Sequence, residues 1–408
     1  MLHTHFSFRA VACRCPLLVA LAAAPALATD ITISPSDNLQ AAINTAVSGD
    51  TIRFMPGTYN QTAIIAGKSL TLEGINGAAV TILTANALNN TVLQVNNAPA
   101  PGVTIRGLTI RDGATPGAAG SPDGYPNDGG GISANNSPLT IDQCRFINNQ
   151  AGDDGGAIYT LVSGATITDT LFDSNTSTAG GAFLIRGSVT VDGCTFMNNT
   201  GSSAGGAIYF LSGSSGTFSN TTFQMNRSPA GQGGAIFTST VLPLTFTGCQ
   251  FTENMATTTG GAISTGDLAS AGLIIARQCT FTRNTALGTG ADGGAIYAGI
   301  NAALDISETT FTRNVCPDNG GGIYKAGAGT LTLGRCGFFG NVALRGGGVR
   351  SNTTSNLSNC AFVGNTASAG GFGGGIYVGG TPFNVINSTL VANQGTEPAV
   401  GSTTASVF

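Results

Sequence analysis

One short pattern recurs ten times between residues 130 and 393, and it limits the possible folds more than any other feature of the sequence. Each copy contains Gly-Gly-x-Ile, or a close variant, followed by Phe-x-x-Asn, and successive copies lie 24 to 30 residues apart. A unit of this length cannot bury an apolar face alone, so the pattern predicts a stack of repeats. The first position of Phe-x-x-Asn is occupied by Phe146, Phe172, Phe196, Phe223, Phe251, Phe281, Phe311, Phe338, Phe362 and Leu390.

Apolar and polar residues alternate before each Phe, which predicts strands with one buried face. In the copy that contains Phe196, we expect Val191, Cys194 and Phe196 to point inward and Thr195 to point outward. The inward parity slips by one residue between Val191 and Cys194, which requires a bend. Gly-Gly-x-Ile supplies a further strand, so about 27 residues hold three strands and three turns. The sequence therefore predicts an all-β parallel β-helix with three strands per coil.

Most cysteines share one position of the repeat, two residues before the Phe. We expect them to be small, buried core residues rather than a disulfide framework. A bridge between Cys249 and Cys279, or between Cys336 and Cys360, is the alternative, because these pairs fall on adjacent coils; in-register stacking gives poor disulfide geometry. The cysteines at this position are Cys144, Cys194, Cys249, Cys279, Cys336 and Cys360.

The segment before the regular repeats contains apolar strands without the two motifs. We expect residues 29–129 to form an N-terminal cap and two or three irregular coils. The stretch SPSDNLQAAINTAVSGD predicts a helix with Ser36 or Asp37 as its N-cap and Leu39, Ala42 and Ile43 on one face. Such a helix would cover the open end of the stack.

The predicted β-helix extends over residues 29–393, with ten regular coils over 130–393. Residues 114–130 are rich in Gly, Pro and Asp, and they are interpreted as an inserted loop. Residues 394–408 are polar and are expected to form a loose tail. We expect twelve to thirteen coils in total, which gives a length of roughly 60 Å at the spacing of paired strands.

Residues 1–28 have the order of a secretory signal peptide. Arg9 and Arg14 lie before an apolar stretch, and Ala26-Leu27-Ala28 resembles a cleavage site. Without this segment, 14 basic residues face 20 acidic ones, a net charge of −6. Such a chain does not attract nucleic acid. No later stretch is apolar enough to span a membrane, so we expect an exported protein without a transmembrane segment.

The repeated words GGAIYF, GGAIFT, GGAIST and GGAIYA, paired with FMNN, FQMN, FTEN and FTRN, resemble the repeat of chlamydial-type polymorphic outer membrane proteins. The stretch LQAAINTAVSGDTIRFMPGTY resembles the opening of pectin-lyase-like β-helix proteins. The resemblance implies a right-handed parallel β-helix that is secreted or displayed on a bacterial surface and used for adhesion. Proteins of that family typically end in an exporting β-barrel. Here a short tail follows the repeats, so free secretion and outer membrane association both remain expectations.

Many proteins of the pectin-lyase-like class are enzymes that cleave polysaccharides, and polygalacturonases among them use several Asp, a His and a basic pair. Asp153 and Asp154 in GDDGG resemble the paired Asp of polygalacturonases. The chain has no His after residue 28, and adjacent residues of a strand point to opposite faces, so we interpret both as solvated loop acids. Lys68 and Lys325 lie about nine coils apart and cannot share a lyase site. Calcium ligation by Asp153 and Asp154 with Asp123 and Asp128 is an alternative, but calcium-loop spacing is absent. We expect no metal and no cofactor.

The residue after the Ile of Gly-Gly-x-Ile is aromatic in six of ten copies. Alternation with the buried Ile places these rings on the outside of the coil, where a ladder of aromatic rings suits a glycan or a protein partner. The alternative is that loops fold over the rings and bury them. The predicted binding residues are Tyr159, Tyr209, Phe237, Tyr297, Tyr324 and Tyr377.

Three functions are compatible with these features. A non-catalytic, adhesin-like protein that binds a cell-surface glycan or protein is the first. An extracellular polysaccharide lyase or glycosidase is the second, and it requires a cleft with clustered carboxylates and basic residues. A structural spacer that binds neither cells nor glycans is the third.

Overall fold

The computed structural model describes residues 28–115, 128–161, 164–240, 242–267, 272–379, 382–396 and 400–402. Within these residues the chain forms a right-handed parallel β-solenoid with one short helix. Three long sheets, called A, B and C here, run the length of the solenoid, and each regular coil contributes one strand to C, then A, then B. Residues 1–27, which make up nearly all of the predicted signal peptide, lie outside the described part of the chain, as do residues 116–127 of the predicted loop.

Sheets A, B and C contain 14, 13 and 13 strands. The strands of sheet A are Asp30–Ile33, Thr51–Phe54, Thr71–Gly74, Val103–Arg106, Leu139–Asp142, Ala165–Thr168, Ser188–Asp192, Ser215–Ser219, Leu244–Thr247, Leu273–Arg277, Ala303–Ser307, Leu331–Gly334, Ser355–Ser358 and Phe383–Ile386. The strands of sheet B are Gly57–Asn60, Thr81–Thr84, Thr109–Arg111, Arg145–Ile147, Leu171–Asp173, Thr195–Met197, Thr222–Gln224, Gln250–Thr252, Thr280–Thr282, Thr310–Thr312, Gly337–Phe339, Ala361–Val363 and Thr389–Val391. The strands of sheet C are Ala63–Ala66, Leu93–Asn96, Ile132–Asn135, Ile158–Leu161, Phe183–Ile185, Ile208–Phe210, Ile236–Thr238, Ile263–Ser264, Ile296–Ala298, Ile323–Lys325, Val349–Ser351, Ile376–Val378 and Val400–Ser402.

The Phe of each repeat forms a stacked column in the core. Phe251 and Phe281 are fully buried, and their ring centroids lie 4.6 Å apart with the ring planes 1° from parallel. Paired strands are about 4.7–4.9 Å apart, so in-register pairing stacks one ring on the next. The inward parity predicted for this position is confirmed, and so is the all-β parallel fold with one strand per coil in each of the three sheets.

The Asn of each repeat forms a second buried column. The Nδ2 of Asn175 donates to the carbonyl of Phe146 at 3.0 Å and to the Oδ1 of Asn199 at 3.0 Å. The amides therefore pair between coils, and the left-handed bend lies one residue before the Asn, at Ser174 with φ 59°. Asn175 is therefore free to turn inward and satisfy the backbone at the corner.

Both glycines of the Gly-Gly motif are required by the corner. Gly180 has a φ of +64°, a backbone conformation that residues other than Gly rarely adopt. A Cβ on Gly181 would lie 2.2 Å from the carbonyl oxygen of Gly206. The backbones of neighbouring coils therefore approach too closely for any other residue.

The predicted capping helix is Leu39–Thr45, and it buries Leu39, Ala42 and Ile43 as expected. Its N-cap is Asn38, whose side chain accepts from the N–H of Ala41 at 2.8 Å. The expected caps, Ser36 and Asp37, are wrong. The carboxylate of Asp37 accepts from the N–H of Ser34 at 2.7 Å instead, and it shapes the turn before the helix.

Within the described residues, seven further strands lie between an Asn of the repeat and the next Gly-Gly, and they were not predicted. Five of them pair as a fourth sheet, and two pair separately. Within the tail that was expected to be loose, Val400–Ser402 pairs with Ile376–Val378 in sheet C. The seven short strands are Thr176–Ala179, Thr200–Ala204, Arg227–Ser228, Met255–Ala256, Thr285–Ala286, Val342–Arg345 and Thr366–Phe372.

Candidate functional site

The six predicted aromatic residues lie on sheet C in one register. Tyr297 pairs with Tyr324, and Tyr209 pairs with Phe237. The core Ile residues precede them, so the rings point away from the main apolar core. Tyr297 and Tyr324 accordingly form a small cluster of their own, separate from the core. The predicted direction of these side chains is correct.

The predicted exposure of the column is wrong for four of the six rings. Tyr159 is 2% exposed, and Tyr297, Tyr324 and Tyr377 are each 8% exposed. Tyr209 and Phe237 are half-buried.

Polar contacts hold the C-terminal part of the column in place. The hydroxyl of Tyr297 donates to the Oδ1 of Asp267 at 3.0 Å, and the Nδ2 of Asn352 donates to the hydroxyl of Tyr324 at 3.0 Å. The guanidinium of Arg350 lies 5.3 Å from the ring centroid of Tyr324 and 5.2 Å from that of Tyr377. This part of the column is therefore a cluster held by hydrogen bonds and cation–π contacts, and not a row of exposed rings.

A second column lies beside the aromatic one, formed by the residue before each Gly-Gly. The N–H and Nδ2 of Asn319 donate to the Oδ1 of Asp292 at 3.1 and 2.8 Å, and Arg350 donates to the Oδ1 of Asn319. Burial raises the pKa of Asp292 to about 6. This column was not predicted from the sequence, although its position, directly before each Gly-Gly, is visible in the repeat. Its members are Asp128, Asp154, Ala179, Ala204, Gln232, Thr259, Asp292, Asn319, Arg345 and Phe372.

The half-buried pair Tyr209 and Phe237 is the part of the column that a ligand can reach. Their ring centroids lie 5.3 Å apart with the planes tilted by 40°. Next to them, the Oε1 of Gln232 accepts from the hydroxyls of Thr259 and Ser264, each at 3.1 Å. Apolar ring faces beside an amide and hydroxyl groups form a surface that suits a sugar ring or a peptide.

Three carboxylates converge at another point of the second column. One oxygen each from Asp128, Asp153 and Asp154 lies within 4.8 Å of the others, and the Oδ1 of Asp128 accepts from the N–H of Asp154 at 3.1 Å. Asp153 and Asp154 lie at the corner before Gly155, as expected for loop acids, and not within a strand; Asp153 is exposed and Asp154 is half-buried. Burial, with the charge of Asp153 adding to it, raises the pKa of Asp128 and of Asp154 to about 7.

The cysteines after residue 28 are all free and buried. Cys249 and Cys279 are 0% and 1% exposed, and each Sγ contacts backbone carbonyls. Cys316, which lies outside the shared repeat position, is 2% exposed and packs with Ala286, Ala291 and Ala343. These thiols fill space in the core, as predicted.

Two family models match the chain. The right-handed beta helix region model matches residues 91–286, and the Chlamydia polymorphic membrane protein repeat model matches residues 278–299. The chain carries a polymorphic-membrane-protein repeat in a right-handed β-helix. The resemblance inferred from the sequence is thereby confirmed, and a repeat of this type indicates a cell-surface protein. Among curated proteins, none matches the chain.

Solved structures similar to the chain include the catalytic domain of a GH87 alpha-1,3-glucanase bound to nigerose. The sequences are 13% identical, the match covers 94% of this chain and 69% of that chain, and the TM-score is 0.52. A variant of the same domain, also with nigerose, matches at 13% identity over the same shares, with a TM-score of 0.50. At this identity the likeness shows the shared fold alone. Among the described residues, no helix has the length and apolar character needed to cross a membrane.

Proposed function

We propose that this protein is an exported, adhesin-like binding protein of the cell surface, without catalytic activity, whose partner is a cell-surface glycan or protein. Export rests on the order of charged residues, apolar residues and Ala26-Leu27-Ala28 at the N-terminus. The binding site is the aromatic column, and Tyr209 with Phe237 forms its accessible part.

The half-burial of Tyr209 and Phe237 is the observation that carries this proposal. Among the six aromatic residues of the column these two remain accessible, and they lie on adjacent coils beside Gln232 and Ser264. An aromatic face with hydrogen-bonding groups at its edge binds the apolar face and the hydroxyls of a sugar at once.

The proposal is tested with the double variant Tyr209→Ser and Phe237→Ser. The purified mature protein and the variant are applied to a glycan array and to cells. We expect the variant to keep the melting profile of a folded β-helix and to lose at least tenfold in affinity for the ligand of the wild type, or about 1.4 kcal/mol.

Phe339→Ser is the matched control, because Phe339 is an aromatic residue, 37% exposed, on sheet B. Its affinity should equal that of the wild type. Equal binding by the double variant would place the ligand elsewhere, and an absence of binding by the wild type to any glycan or cell would favour a structural spacer.

A glycoside hydrolase is the second candidate, and the cluster of Asp128, Asp153 and Asp154 favours it. Glycosidases pair a protonated carboxylic acid with an ionised carboxylate. The raised pKa values of Asp128 and Asp154, about 7 in both cases, would keep a proton available at neutral pH beside Asp153. The similar glucanase structures share the fold and act on a glucan.

This alternative predicts new reducing ends when the protein is incubated with an α-1,3-glucan, and their loss in Asp154→Asn. Asp192→Asn, on the outer face of sheet A, is the control. If the wild type releases no reducing ends from α-1,3-glucan, pectate or alginate, the carboxylate cluster is not a hydrolytic site.

A further inference from the structure

Asp50 is a buried carboxylate at the N-terminal end of the solenoid. It is 2% exposed, and its Oδ2 accepts from the N–H of Val47 at 2.8 Å. Its Oδ1 accepts from the backbone N of Thr29 at 2.8 Å. Within the described part of the chain, Asp50 forms no ion pair with a Lys or Arg side chain. A buried carboxylate without a cationic partner is destabilising unless hydrogen bonds compensate for it.

Nearby cations make their direct contacts with other groups, although the charge of Lys68 also helps to lower the pKa of Asp50. The Nζ of Lys68 donates to the carbonyls of Ile43 and Ala46 at 2.9 and 2.7 Å, at the C-terminal end of the helix. Arg53 pairs with Asp30 at 3.1 Å. The N–H groups of Val47 and Thr29 hold the pKa of Asp50 below its usual range, so it is ionised at neutral pH.

Thr29 is also the first residue after the predicted signal-peptide cleavage site. A signal peptidase hydrolyses the Ala28–Thr29 amide: water adds, the C–N bond breaks, and Ala28 leaves as a carboxylate. The released amine of Thr29 takes up a proton and becomes an ammonium. The neutral N–H that now contacts Asp50 would thus be replaced by a cation on the same nitrogen atom.

We propose that Asp50 is the counter-ion of the mature N-terminus, so that removal of the signal peptide completes a buried ion pair and closes the N-terminal cap. This inference rests on the proposed export, since that supplies the cleavage. The pair joins the start of the first strand, Asp30–Ile33, to the turn that follows the helix. A charge-assisted hydrogen bond is roughly twice as strong as a neutral one, so the processed chain has the firmer cap.

The position of this ion pair at the edge of sheet A explains how it would stabilise the N-terminal end of the solenoid. Asp30–Ile33 is the edge strand of sheet A, and the N–H of Thr51 donates to the carbonyl of Thr29 at 2.9 Å. An edge strand that frays exposes the end of the stack to another chain. An ion pair on Thr29 holds the residue directly before that strand in place.

The test compares two purified chains, one starting at Thr29 and one starting at Ala28, each with Asp50 and with Asp50→Asn. Every described strand lies within residues 30–402, so both chains contain the whole described fold. Hydrogen exchange at the N–H of Val47 reports the cap locally, and urea unfolding reports the whole molecule. We expect exchange about tenfold slower in the chain that starts at Thr29, and no such difference in the Asp50→Asn pair.

Asp37→Asn is the matched control. Asp37 is a carboxylate of the same cap that accepts from Ser34 and does not contact Thr29. The difference between the two chains should survive this substitution. Equal exchange in both chains with Asp50 intact, or an equal difference with and without Asp50, would overturn the proposal.

The pH dependence separates an ion pair from a steric effect of Ala28. An α-amine titrates near 7.7–8.0 when unpaired, and pairing with Asp50 raises its pKa. The extra protection should therefore be complete below pH 7 and disappear as the pH rises through the raised value. Lys68, Asp30 and Arg53 are the other charged groups nearby, and they are the same in both chains. Mass spectrometry of the exported protein tests the cleavage itself, so failure of export and failure of the ion pair are distinguishable.

Discussion

At the scale of single residues, the aromatic column shows that the direction of a side chain and its exposure to solvent are separate properties, although a repeat pattern suggests both. The alternation in the sequence correctly gives the direction of Tyr297 and Tyr324, because it depends only on strand geometry. Their exposure depends on Asp267 and Asn352, which lie outside the repeated motifs. No periodicity in the sequence identifies those partners.

The buried and half-buried parts of the column should respond differently to substitution. Tyr297→Ser with Tyr324→Ser removes two rings that are each 8% exposed, and we expect a loss of about 3–5 kcal/mol in the free energy of unfolding. Tyr209→Ser with Phe237→Ser should lose clearly less. Urea unfolding of both double variants gives the comparison. Equal losses would mean that the two parts of the column are packed alike.

Lys325 provides a second prediction at this scale. It is 0% exposed, and its Nζ lies among backbone carbonyls, including those of Gly299 at 2.9 Å and Ala328 at 2.6 Å. Burial lowers its pKa to about 8. Since the unfolded chain binds this proton up to about pH 10.4, the unfolded state holds more protons between pH 8 and 10.4, and stability rises with pH there.

Lys325→Met should remove this pH-dependent gain, which is on the order of 3 kcal/mol. The free energies of unfolding of the wild type and the variant, measured from pH 7 to 11, are subtracted at each pH. A difference that changes between pH 8 and 10.4 and is constant outside this range supports a depressed pKa. A constant difference throughout contradicts it.

At the scale of elements, the strands of sheets A, B and C could be predicted from the sequence, and the strands at the corners could not. Residues such as Phe251 and Ile263 recur with the period of the coil, so their strands are visible in the sequence. The short strand Thr200–Ala204 has no apolar periodicity, and it forms because neighbouring coils bring their backbones together. The N-cap depends similarly on a local competition, in which Asp37 bonds to Ser34 and leaves Asn38 to cap the helix.

The corner itself gives a prediction that distinguishes close approach from backbone strain. Gly181→Ala places a Cβ 2.2 Å from the backbone of the next coil, whereas a Cβ on Gly364, which has a φ of +64°, meets nothing within 4 Å. We expect Gly364→Ala to lose about 1 kcal/mol from the left-handed conformation alone, and Gly181→Ala to lose several times more. Thermal unfolding of both variants is the measurement. Comparable losses would show that the coils can separate to admit a methyl group.

At the scale of the whole molecule, the solenoid is one-dimensional: among the described residues, the strands of a coil pair only with those of the coils before and after it, as Phe251 does with Phe223 and Phe281. Phe251→Ala should lose about 3–5 kcal/mol and leave a cavity between these two rings. Because stability in such a stack is a sum of coil and interface contributions, the damage should remain local. Hydrogen exchange should accelerate at the amides of Phe223 and Phe281 and their coils, while those of the helix Leu39–Thr45 exchange as in the wild type. Uniform acceleration along the chain would mean that the solenoid unfolds as one cooperative unit, and a loss below about 1 kcal/mol would contradict the inward position of Phe251.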